Sequence, residues 1–261
     1  MKTKIFSLIT IVTACFLSSC QKVIKLKLDT SPSQIVIQGN VYDQPGPYTI
    51  NITKSVSFDQ SNVYPAVTGA AVTISDNVGN TEVSNEISPG NYLTSTIQGV
   101  PGRTYNLTVN IDGQTYKASS TMPKPVSIDS IYYTKSPFGK DEQLTVKFLD
   151  PADTINYYRL VEFINGVQQD RFSIAGDRLY QGNPIIFTFP VQDDNDKKLV
   201  TGDQIAVWLE SIDKNVYEYF RTARADGPHS TSPANPVSNI SNGALGYFNA
   251  GTVRKATSVV P

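Results

Sequence analysis

From Gln34 onward, apolar and polar side chains alternate with a period of two through run after run, and nothing else in this chain restricts its fold as strongly. Ile35-Val36-Ile37, Tyr48 to Thr53, Ala71 to Ile74, Tyr92 to Ile97, Tyr105 to Ile111 and Gln114 to Ser119 place every second side chain on one face, the pattern of a half-buried strand. Turn residues separate these runs: Pro45-Gly46, Asp76-Asn77 with Gly79-Asn80, Pro89-Gly90, Pro101-Gly102 and Asp112-Gly113. The last is the strongest, because Asp-Gly accepts the positive φ angles of a two-residue hairpin. Short strands closed by hairpins at this spacing predict a sandwich of antiparallel sheets.

Met122-Pro123-Lys124-Pro125 marks a boundary, since two prolines cannot donate to a strand ladder and hold the chain extended. More strands follow it: Ser127 to Tyr133, Gln143 to Leu149, Tyr157 to Ile164, Val167 to Ile174, Ile185 to Phe189 and Gln204 to Ser211. Asn165-Gly166 is a second hairpin signal, and Val207-Trp208-Leu209, apolar on both faces, predicts a central strand covered on both sides. Asp213 reads as the N-cap of a short helix near 214–225 with Val216, Tyr217 and Phe220 on one face. The expectation is a mainly β chain: two antiparallel, immunoglobulin-like β-sandwich domains, at 34–122 and 126–261, with one short helix in the second.

The first residues obey other rules. Lys2 and Lys4 precede an apolar run from Ile5 to Leu17, and the small residues Ser18 and Ser19 lead into Cys20. That order reads as a lipoprotein signal peptide over 1–19, a lipidated Cys20 and a tether over 20–33. The apolar run is shorter than the roughly 20 residues of a bilayer span. Acyl chains on Cys20 would hold the protein at a membrane durably, because each buried CH₂ contributes about 0.8 kcal/mol. With Cys15 leaving in the signal and Cys20 carrying lipid, neither of the two cysteines remains a free thiol, which excludes disulfides, thiol catalysis and thiolate metal sites. A net charge of -1 offers no basic field, so nucleic acid is not an expected partner.

Motifs for catalysis are absent from the sequence. It contains no nucleophile elbow, phosphate-cradling loop or zinc-protease motif, the single histidine, His229, lies in Gly227-Pro228-His229-Ser230, and Asp141-Glu142 falls at a turn. The expectation is therefore no enzyme and no cofactor. Asp193, Asp194, Asn195 and Asp196 pack hard oxygen ligands into one loop, which suits calcium, but the loop lacks the glycine and distant glutamate of an EF-hand and runs into Lys197 and Lys198. It reads either as a calcium site or as a plain hydrophilic turn. Tyrosines gather in the second half, and adjacent ones on a strand point to opposite faces, one to the core and one outward. Tyr133, Tyr158 and Tyr247 are candidates for stacking on a glycan or peptide ligand, with cross-strand packing as the alternative.

The C-terminal run Asn235-Pro236-Val237-Ser238-Asn239-Ile240, followed by Gly243-Ala244-Leu245-Gly246-Tyr247-Phe248, resembles the end of the DUF4249 lipoproteins of Bacteroidota. Val67-Thr68-Gly69-Ala70-Ala71-Val72, Gly99-Val100-Pro101-Gly102-Arg103-Thr104-Tyr105 and Gly113-Gln114-Thr115-Tyr116 extend that resemblance, in order, along the mature chain. The resemblance implies an outer-membrane lipoprotein, often encoded beside a TonB-dependent receptor, and carries over no enzymatic residue. It leaves open whether the protein faces the periplasm or the cell surface, since Gln21 to Lys27 is basic and apolar where exported relatives are often acidic. Asp129-Ser130-Ile131 and Asp153-Thr154-Ile155 also resemble the short O-glycosylation motif of such envelope proteins, which implies sugar on Ser130 and Thr154. The expected role is a non-enzymatic accessory or ligand-presenting component of TonB-dependent uptake, with a structural or adhesive surface module as the alternative.

Overall fold

A computed structural model describes residues 32–57, 60–61, 63–135, 142–176, 181–189, 199–225 and 235–261. The first half forms β1 (Ile35–Tyr42), β2 (Thr49–Lys54), β3 (Ala71–Asp76), β4 (Thr81–Ser88), β5 (Asn91–Leu93), β6 (Thr104–Ile111) and β7 (Gln114–Thr121). After these come β8 (Ile128–Lys135), β9 (Glu142–Leu149), β10 (Tyr157–Ile164), β11 (Val167–Gly176), β12 (Pro184–Thr188), β13 (Gln204–Ile212), α1 (Lys214–Ala225) and β14 (Leu245–Val259). Among the described residues the fold is mainly β with one helix, in the expected place. An eleven-stranded sheet runs in the order β11-β10-β13-β14-β1-β2-β5-β4-β3-β6-β7, and a second sheet in the order β12-β9-β8.

The large sheet is mixed, which corrects the antiparallel expectation. β1 and β14 run parallel, with Ile37 opposite Gly246 and Gly39 opposite Phe248. Alternation encodes which face of a strand is buried and says nothing about the neighbour it pairs with, so this long-range junction left no local trace.

Three hydrophobic cores form around these sheets. In the first, Ile37, Ile50 and Phe248 from one half of the large sheet meet Val72, Ile74, Leu107 and Val109 from the other. β4, paired with β3 on one side and β5 on the other, is therefore where the sheet curls back on itself. The outer edge of β7 is not left bare: Ser241 N–H donates to Lys117 O at 2.8 Å, and the Lys117 and Ala250 amides donate to Ser241 Oγ and Ser120 Oγ at 2.8 and 2.9 Å. In the second core, Leu144, Val146 and Phe148 of the small sheet face Leu160, Ile205, Val207 and Leu209 of β10 and β13. Met122 closes the first core and Val126 opens the second, while Ile240, Ala244, Phe248 and Ala250 bring the C-terminal segment back to the first.

Helix α1 forms the third core on the opposite face of β10 and β13, with Val216 and Phe220 against Ile212 and Tyr247. Its start is set by Asp213, whose Oδ1 accepts the Val216 amide at 2.9 Å as an N-cap does. The other oxygen of that carboxylate accepts Ser120 Oγ at 2.6 Å and the Thr121 amide at 3.2 Å, which ties the helix to β7.

Acidic side chains pin the loops around β4. Asp76 accepts the amides of Val78 and Asn80 at 3.1 and 2.8 Å and pairs with Arg103 at 3.0 Å. Glu82 accepts the amides of Ser95, Thr96 and Ile97, the last at 2.6 Å, and Glu86 those of Gly69 and Gly90 at 2.9 and 3.1 Å. Burial alone would raise Asp76 and Glu82, but the hydrogen bonds outweigh it and hold both carboxyls below their ordinary values of 3.8 and 4.5. At Glu86 the Gly69 amide leads and the direction is the same. Because the unfolded chain binds these protons more readily, the stability the carboxylates lend is complete above the ordinary carboxylate range and is lost as pH falls through the lowered folded values. Thermal unfolding is therefore expected to have a flat midpoint above about pH 5 and a falling one below about pH 4. Glu82→Gln is expected to lower the midpoint at pH 7 and make the acid slope shallower; an unchanged slope contradicts the assignment.

A candidate ligand groove

The groove grows out of strand register. On β1, Ile37 and Val41 turn into the first core, so Asn40 and Tyr42 face the other way. β14 lies between β1 and β13, with Trp208 opposite Lys255 and Glu210 opposite Val253. On the far side of β13, Arg159 of β10 stands opposite Glu210. Beyond the cover of α1, this sheet face and the turn after β1 enclose an open groove of about 360 Å³, lined chiefly by Tyr42, Pro45, Pro47, Tyr48, Trp208 and Lys255. Asn40, Gln44 and Thr49 add polar groups to it.

Its floor is aromatic. Trp208, half-buried, lies 4.7 Å from Phe163 with ring planes at 37°, and the Lys255 ammonium sits 3.9 Å from the Trp208 centroid. Tyr42 and Tyr48 meet edge to face, their centroids 6.2 Å apart. The turn is held rigid: the Tyr48 hydroxyl is shared between the carbonyls of Tyr42 and Gln44, and its amide donates to Thr94 Oγ1 at 2.8 Å. Among the described residues the ion pairs are Arg103–Asp76, Arg159–Glu210, Arg221–Glu218 and Arg254–Asp43. Lys255 belongs to none of them.

Behind the floor lies a buried charge pair. Glu210 accepts the Tyr42 hydroxyl at 3.0 Å and pairs with Arg159 at 3.1 Å; the Arg159 and Glu210 side chains are 12% and 2% exposed. The Arg159 guanidinium lies 4.3 Å from the Phe220 ring and 5.5 Å from that of Phe172. Burial first, and the adjacent Glu210 carboxylate second, push the Tyr42 hydroxyl well above the usual phenol range. Burial works to lower Arg159, but Glu210 outweighs it and raises the guanidinium. Tyr42 thus stays a neutral donor and Arg159 a cation at any ordinary pH, which makes a fixed wall rather than a proton relay.

A second, larger cleft of about 810 Å³ lies between α1, β6, β7 and residues 237–241. Three of its polar side chains already serve the backbone: Ser238 Oγ donates to Gly246 O, Asn239 bonds the Phe248 backbone in both directions, and Ser241 Oγ accepts the Lys117 amide, while Glu218 pairs with Arg221. The smaller groove, with an aromatic floor and an unpaired cation, is the better candidate.

The tyrosines singled out from the sequence are not brought together, and none lines the groove. Tyr158 is 0% exposed, donates to Asp150 at 2.5 Å and packs edge to face on Phe148. Tyr133 lies half-buried against the second core, and Tyr247 packs on Tyr219 and Phe220 under the helix. Ser130 and Thr154 are exposed, on β8 and in the loop before β10. Cys20, Asp193, Asp194, Asn195, Asp196 and His229 lie outside the described residues. Among the described residues, no group of three or more His, Cys, Asp or Glu could hold a metal ion, and no helix is long and apolar enough to cross a membrane. Sequence reasoning passed over Tyr42 and Lys255; the one available signal for the site was Trp208, the sole tryptophan, in a strand read as covered on both sides.

A family model described as a domain of unknown function, DUF4249, matches residues 21–257. No curated protein matches the chain. Among solved structures, a chain of a cytokine receptor complex aligns over 85% of this chain and 94% of its own at 9% identity, with a TM-score of 0.27 that carries no argument.

Proposed function

This chain belongs to the DUF4249 family, and from that premise we propose that it is a lipid-tethered envelope protein that binds a ligand in the Tyr42–Trp208–Lys255 groove and presents it to a TonB-dependent outer-membrane receptor. The observation that carries this reading is the groove: an aromatic floor with an unpaired ammonium, built on the paired central strands of a sheet rather than on a loose loop. The order Leu17-Ser18-Ser19-Cys20 supports the tether, and the role is one of binding without chemistry. Curled sheets with three cores supply a rigid body, and the turn at Pro45–Pro47 supplies the contact surface.

Two measurements test it. Cys20→Ala is expected to move the protein from the membrane fraction to the soluble fraction. Recovery of the native chain from its own membranes in mild detergent is expected to bring a TonB-dependent receptor with it; repeated recovery of the chain without such a receptor overturns the reading.

A further inference from the structure

Resting on that placement of the ligand, we infer that the ligand is an extended acidic peptide segment, which adds a strand to the open edge of β14 beyond Gly251, sets a carboxylate opposite Lys255 and ends in the groove. β1 pairs with β14 only as far as Gly251, whereas β13 follows β14 on to Val259. Two bonds at the ends of this stretch fix which backbone groups are left over. The Val253 amide turns away from β13 and donates to Asp43 Oδ1 at 2.9 Å, and the Val260 amide donates to Asp203 O, at the head of β13, at 3.0 Å. Alternation between them turns the N–H and C=O of Lys255, Thr257 and Val259 away from β13. Among the described residues no strand bonds these groups, since β8 approaches β14 from the second sheet but pairs only with β9. The row closes at Val253, where Asp43 takes the N–H and Arg254 Nη1 donates to the C=O at 2.7 Å. A strand added here lies in line with β1 and stops where Val253 and Lys255 line the groove. Its main chain bonds the edge, and a side chain at its end enters the groove.

Charge selects the partner. Lys255 is exposed and belongs to no ion pair among the described residues, while Asp43 and Glu210 near it are answered by Arg254 and Arg159. A lysine on an edge strand guards it against pairing with another edge of its own kind. A second copy brings nothing to satisfy that lysine, because residues 252–261 contain no Asp or Glu. A strand with Asp or Glu directly opposite Lys255 does satisfy it, as an opposite-charge pair across the two strands.

The Lys255 ammonium lies 3.9 Å from the centroid of Trp208, the only tryptophan, so drawing it onto a carboxylate changes the emission of this ring. A library of capped random octapeptides is selected on the full chain in detergent. The selected sequences are expected to share one Asp or Glu position. Their consensus peptide is expected to change Trp208 emission saturably and to slow amide hydrogen exchange at Lys255 and Thr257 by about tenfold or more. Methylating one alternate set of the peptide's backbone nitrogens is expected to weaken binding about tenfold or more, and methylating the other set to leave it intact. Lys255→Glu is expected to turn the selected acidic position into Lys or Arg. Thr257→Pro removes an N–H that no strand accepts and is expected to abolish binding while the fold is kept; the methylated peptides decide the question on the native chain even if this variant is destabilised. No shared acidic position, unslowed exchange at Lys255 and Thr257, equal response to the two methylated sets, or a native dimer that Thr257→Pro splits would each overturn the assignment. The selection needs no receptor, so its failure leaves the co-purification result standing, and the reverse also holds.

Discussion

Replacing Gly246 with alanine is expected to remove about 4 kcal/mol or more of stability, enough to leave the chain largely unfolded at 37 °C. Gly246 holds φ at +94°, where L side chains are strained, and a Cβ there would lie 2.0 Å from Ile37 O and 2.8 Å from Ile37 C. Those are backbone atoms of β1, so no side-chain rotation can make room. The strands can relieve the clash only by separating, and this is the parallel junction where Ile37 and Phe248, both 0% exposed, enter the first core. Separation would open that core and break the bond from Ser238 Oγ to Gly246 O at 2.8 Å. Gly243→Ala is the control: φ is +75° there too, but nothing lies within 4 Å of the added Cβ, so about 1–2 kcal/mol of backbone strain is the whole effect. Urea unfolding followed by circular dichroism separates the two, and a Gly246→Ala variant as stable as Gly243→Ala would refute the steric account.

What could be read in the sequence was local, and what could not was relational. Asp112-Gly113 and Asn165-Gly166 take positive φ in the hairpins β6–β7 and β10–β11, as their chemistry requires, and Asp213 caps α1 through its own side chain. Each of these is settled within four residues. β4 escaped notice because its pattern is weak: Thr81 to Ser88 buries only Ser84, and its glutamates face the loops they hold. The same contacts explain why β5 stops at Leu93 although alternation continues to Ile97. The Glu82 carboxylate takes the amides of Ser95, Thr96 and Ile97, which a longer strand would have given to a neighbour.

The groove was hidden for a related reason. Tyr42, Trp208 and Lys255 come from three strands far apart in the chain, and they meet through the parallel register of β1 on β14 and the antiparallel register of β14 on β13. Neither register is written in the local pattern of any one strand. Tyrosine spacing, by contrast, was visible but uninformative about binding: it put Tyr158 in the second core and Tyr247 under α1, where hydroxyl and ring both serve packing.

Removing the carboxylate of Glu210 by substitution to alanine is expected to destabilise the fold by about 3–5 kcal/mol, because it strands Arg159 as a buried cation and leaves the Tyr42 hydroxyl without its acceptor. Arg159 Nε is already buried with no partner, so little else nearby can take up the guanidinium. This penalty is not the worth of the pair. An ion pair withdrawn from water to this degree gives back in attraction roughly what it loses in desolvation, so Arg159→Met, Glu210→Leu and Tyr42→Phe combined are expected to restore stability to within about 1 kcal/mol of the starting protein. If Glu210→Ala were to lower stability by less than about 1 kcal/mol, the pair would have to be far wetter than 12% and 2% exposure allow. The restored triple variant then isolates what the charges are for. Glu210 fixes the Tyr42 ring through its hydroxyl, and Tyr42 is a wall of the groove whose floor is Trp208. A variant that folds as well but lets that ring swing is expected to show altered Trp208 emission and weakened ligand binding, which would assign the buried pair to shaping the groove rather than to holding the protein together.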